Sequence, residues 1–120
     1  MFEQDFIMRQ IEDMTRFLSL LIFGKNTATE EVNLEEYYST GEADLRDTLQ
    51  RMIDEGDING AEDLLFEKIE QQPSKANFAV ALAFYQTLSE QKDETLEACD
   101  FSREEIFEGL EAIKRFYLPD

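Results

Sequence analysis

Residues 56–88 read GDINGAEDLLFEKIEQQPSKANFAVALAFYQTL. Gly56 and Asp57 make a turn. The apolar residues that follow, Ile58, Ala61, Leu64, Leu65 and Ile69, recur at three- and four-residue steps, the spacing of one helix face. Pro73 stops that helix, because proline lacks the backbone donor and its ring collides with the preceding turn. Beyond it, Phe78, Ala79, Leu82, Ala83, Tyr85 and Leu88 set out a second helix over 75–90. Alanines at 76, 79, 81 and 83 let neighbouring helices approach closely, while the aromatic rings fill volume. The stretch predicts a helical hairpin, 58–71 followed by 75–90.

Working outward, 43–54 reads as a helix with Leu45, Leu49, Met52 and Ile53 inward, ended by Gly56. At the other side a turn of helix fits 93–99. Ser102 and Glu105 then form a capping-box pattern that opens a last helix, 103–118. Its stripe is Ile106, Leu110, Ile113 and Tyr117, with Phe107 and Phe116 beside it, and Pro119 lies past its end.

The first helix spans 2–23. Ile7, Ile11, Met14, Leu18 and Leu21 follow a 4-3-4-3 spacing; Phe6, Phe17 and Ile22 widen the stripe, and Gly24 ends it. Its last turns, FLSLLIF, are apolar nearly all round. A helix end of that kind is either sunk in the core or covered by another chain. Phe6, Phe17, Leu21 and Ile22 are accordingly the candidate contacts of a homodimer. Residues 25–44, KNTATEEVNLEEYYSTGEAD, are acidic with few apolar groups. A short helix near 30–38, capped by Thr29, is expected there, because long structureless loops are uncommon inside a domain; the alternative is a mobile segment.

The 120 residues make one domain, long enough to bury roughly two thirds of the unfolded surface. Ten Phe argue against disorder, and the scarcity of Val beside abundant helix formers argues for an all-α fold. The expected architecture is a single helical domain, 1–120, of about five helices. It comprises an N-terminal helix (1–24), an acidic connecting segment (25–44) and a repeat-like region (45–120).

Twenty-eight acids against eleven bases leave a net charge of −17, spread along the whole chain. Such a surface repels phosphate backbones and anionic lipid, so no direct nucleic-acid or membrane partner is expected. Acids precede the apolar run of the first helix where a secretory signal would carry bases, and Phe17–Phe23 is too short to span a bilayer. One cysteine, Cys99, and no histidine exclude a disulfide within the chain and the usual zinc sets. A cytoplasmic protein is expected.

The hairpin resembles a tetratricopeptide repeat. Leu45 falls at the first large position, Gly56 at the turn, Ala61 at the small contact of the second helix, Leu65 at its aromatic site and Pro73 at the closing turn. Leu49, Met52 and Lys68 depart from the repeat pattern, and one period later Glu90 and Thr95 replace the glycine and alanine. The match covers about one repeat and one helix, where a freestanding array needs about three repeats. The runs QDFIMRQIEDMTRFLSLLIFGK and GDINGAEDLLFEKIEQQP also look like a family of small, uncharacterised, all-helical proteins of Gram-positive bacteria. That resemblance implies a bacterial cytosolic protein and no activity.

Catalytic and metal motifs fail on their spacing. EGDINGAEDLLFE approaches a calcium loop, but its last ligand position falls on Phe66, with Glu67 one residue late. Around Gly24-Lys25, Ser19 and Asn26 replace the glycine and hydroxyl residue of a phosphate loop. Glu104, Glu108 and Glu111 share a helical face, which reads as solvated. No Ser-His or Cys-His pair exists. A non-catalytic interaction or adaptor protein is therefore expected, with no cofactor and an unidentified protein partner. Phe78, Tyr85 and Leu88 are the candidate surface. The alternative is an acidic nucleic-acid mimic or sequesterer of a basic protein. An enzyme of unrecognised type would need a concave pocket holding a carboxyl with a perturbed pKa.

Overall fold

A computed structural model of the chain describes residues 2–23 and 40–117. Six helices form among them: α1 (Phe2–Phe23), α2 (Thr40–Asp54), α3 (Ile58–Gln71), α4 (Lys75–Ser89), α5 (Asp93–Ala98) and α6 (Arg103–Tyr117). The all-α expectation holds, with α5 as the short extra helix. α2 begins three residues before the expected start at 43. The helix expected near 30–38, with its cap Thr29, lies outside the described residues.

Each boundary has a local cause. Asp57 caps α3, its carboxylate accepting from the Gly60 N–H at 3.0 Å. A Cβ at Gly60 would overlap that carboxylate, so glycine lets the cap close. Gly56 turns the chain with φ +86°, a conformation side-chain-bearing residues rarely adopt. Ser74 caps α4 by accepting from the Asn77 N–H at 3.1 Å, and Ser102 caps α6 by accepting from the Glu105 N–H at 3.2 Å. The buried Asn77 amide donates to the Gln72 carbonyl at 2.8 Å, pinning the turn that carries Pro73.

α4 is the central helix. It packs against α1 and α6 on one side and against α2 and α3 on the other, while α1 lies along α6 and α2 along α3. Asn77 through Leu82, Phe84, Tyr85 and Leu88 are all buried. A helix that is apolar nearly all round must be enclosed on all sides. Burying side chains of the size of Phe78, Leu82 and Leu88 contributes about 1.5–3 kcal/mol each.

This enclosure corrects one expectation. Phe78, Tyr85 and Leu88, read as a surface for a partner, belong to the core, with Tyr85 and Leu88 at 0% exposure. These residues were read as a face open to a partner, but α1, α6, α2 and α3 all pack on α4 and cover it.

The lower end is tied by Arg103. Its buried guanidinium donates from Nε to Asp93 at 2.8 Å, from Nη1 to the Ser89 carbonyl at 3.1 Å and from Nη2 to the Gln91 carbonyl at 2.7 Å. One side chain thus fixes the end of α4, the start of α5 and the start of α6, satisfying carbonyls that a helix end leaves open.

Candidate functional site

Two stripes run side by side along α1. Ile7, Ile11, Met14, Leu18 and Leu21 face the core; Ile11 and Leu18 are fully enclosed and the others partly so. One residue earlier at every step, Phe6, Gln10, Asp13, Phe17 and Leu20 repeat the same 4-3-4-3 spacing. This second stripe faces outward. Phe6 is 63% exposed, Phe17 41% and Leu20 49%. A 3.5-residue repeat keeps its members on one side of a helix over many turns, which is the geometry of a helix-pairing seam.

Two hydroxyls of α1 bond within the helix itself. Thr15 donates from its hydroxyl to the Ile11 carbonyl, and Ser19 to the Thr15 carbonyl, both at 2.8 Å. Ser19 can therefore sit fully buried. The outer stripe borders an open groove of about 380 Å³ between α1 and α6, lined by Gln10, Asp13, Met14, Phe17, Phe107 and Lys114. The Lys114 ammonium stands 5.3 Å from the centre of the Phe17 ring, a cation–π contact. Asp13 reaches Arg16 at 3.5 Å, with its own side chain mostly exposed. The groove thus offers an aromatic face, an amide, one acid and one base.

A second polar feature lies between α3, α4 and α6. The Tyr85 hydroxyl donates to the Glu62 carboxylate at 2.5 Å. Burial holds the Glu62 carboxyl above its ordinary range; Glu105, Asp63 and Glu108 push the same way, and the Tyr85 hydrogen bond opposes them. Burial and the Glu62 charge likewise raise the Tyr85 phenol. The ring fits only because residue 109 is glycine, since a Cβ there would overlap the Tyr85 hydroxyl and ring. Glu62 lines neither the α1–α6 groove nor a smaller cavity of about 90 Å³ between α2 and α4. That smaller cavity is bounded by Leu49, Ile53, Val80 and Phe84, with Arg46 at its edge.

Of the dimer candidates, Phe6 and Phe17 stand exposed on the outer stripe, and Leu21 packs partly against the core. The Ile22 side chain lies outside the described residues. Leu20, more exposed than Phe17, was missing from that set. Its place at the end of the 6-10-13-17-20 series was the signal that could have found it. Among the described residues no group of three or more carboxylates and cysteines is arranged to hold a metal ion. No described helix is long and apolar enough to cross a membrane.

A family profile matches residues 1–118 under the description "Family of unknown function (DUF6483)". The chain belongs to this family. No curated protein and no solved structure matches it. In this DUF6483 chain the outer stripe of α1 carries Phe6, Phe17 and Leu20, three of the five large apolar side chains exposed among the described residues.

Proposed function

We propose that the chain is a non-catalytic protein–protein interaction module, a bacterial cytoplasmic adaptor that meets its partner through the outer stripe of α1. One observation carries this: three large apolar side chains, Phe6, Phe17 and Leu20, stand in water on one helical seam. Scattered apolar residues on a surface need no explanation, but a periodic row of them beside a groove marks a binding face. The tetratricopeptide-like reading of 45–88 belongs to the same proposal. Its support is the left-handed turn at Gly56, the complete burial of Ala61 and Leu65, and the packing of α2 on both α3 and α4.

The test is affinity capture from native lysate with the wild-type chain and with F17D and L20D. Loss of the captured protein with both variants, while helicity is unchanged, is the expected result. Capture untouched by either variant removes α1 as the contact surface. The acidic-mimic alternative rests on the −17 charge alone and predicts capture of a basic protein that leaves at modest salt.

A further inference from the structure

We draw no further inference here: the strongest candidate, the apolar recess between α2 and α4 bounded by Leu49, Ile53, Val80 and Phe84 with Arg46 at its edge, carries nothing because nothing in the structure shows what covers it.

Discussion

Gly109 shows how one position can reverse an ordinary rule. In an exposed helix, glycine to alanine stabilises by about 1 kcal/mol. Here the added methyl would enter the Tyr85 ring, whose hydroxyl is anchored on Glu62, and overpacking of that kind costs about 1–3 kcal/mol. G109A should therefore unfold at lower urea than wild type, and the loss should shrink when Tyr85 is also replaced by Leu; a more stable G109A would contradict the packing. Glu62 supplies a pH signature. Its folded pKa is raised above the ordinary 4.5, chiefly by burial, so its stabilising contribution is complete below that value and is lost as pH rises through the folded pKa. At neutral pH the ionised carboxylate is a cost that glutamine avoids, while the amide oxygen still accepts from Tyr85. E62Q should melt above wild type at neutral pH, with the gap closing toward pH 4.5; a gap independent of pH would exclude burial as the cause. None of this was legible in the sequence. Glu62, Tyr85 and Gly109 sit on three different helices, and Arg103 finds its partners at 89, 91 and 93 only after the chain turns back. Residue type announces a capable side chain, but its surroundings come from packing.

At the scale of the helix, local signals did much better. Pro73, Gly56 and Ser102 mark ends that the chain places within a residue or two of expectation, because caps and breakers act on their own neighbours. S74A should remove the hydroxyl that accepts from Asn77 and cost about 1 kcal/mol. Denaturant midpoints check this, and no change would mean that the Asn77 bond to Gln72 suffices to hold the start of α4. What the pattern did not disclose is which helix lies in the middle. In α4, alanines at 76, 79, 81 and 83 leave little contrast between faces, so the stripe that includes Phe78, Tyr85 and Leu88 was read as a surface for a partner. Val80, Ala81 and Phe84 are buried as well, and the supposed surface vanished with them. In α1 the reverse holds: two parallel seams are both legible, but only packing tells that one is covered and the other faces outward.

For the whole molecule, charge and core place separate constraints. The −17 charge is spread along the chain, which raises long-range repulsion between copies at low ionic strength. The all-helical outline was readable from composition and punctuation. The exposed apolar face of α1 was only half readable: Phe6 and Phe17 were found through an excess of apolar residues, whereas Leu20 needed solvent exposure to be distinguished from Leu18 and Leu21.

The central position of α4 has a consequence for how the chain comes apart. Every long helix among the described residues rests on α4, so its loss takes contacts from the α1–α6 pair and the α2–α3 pair at once. Melting should then be all-or-none. With no tryptophan, the chain reports its interior through its tyrosines, of which Tyr85 in the C-terminal half of α4 is fully buried. Its near-ultraviolet circular dichroism and the far-ultraviolet helix signal should trace superimposable curves against urea. A tyrosine signal that collapses while helix content persists would instead reveal α1 and α6 separating from α2 and α3 as independent halves.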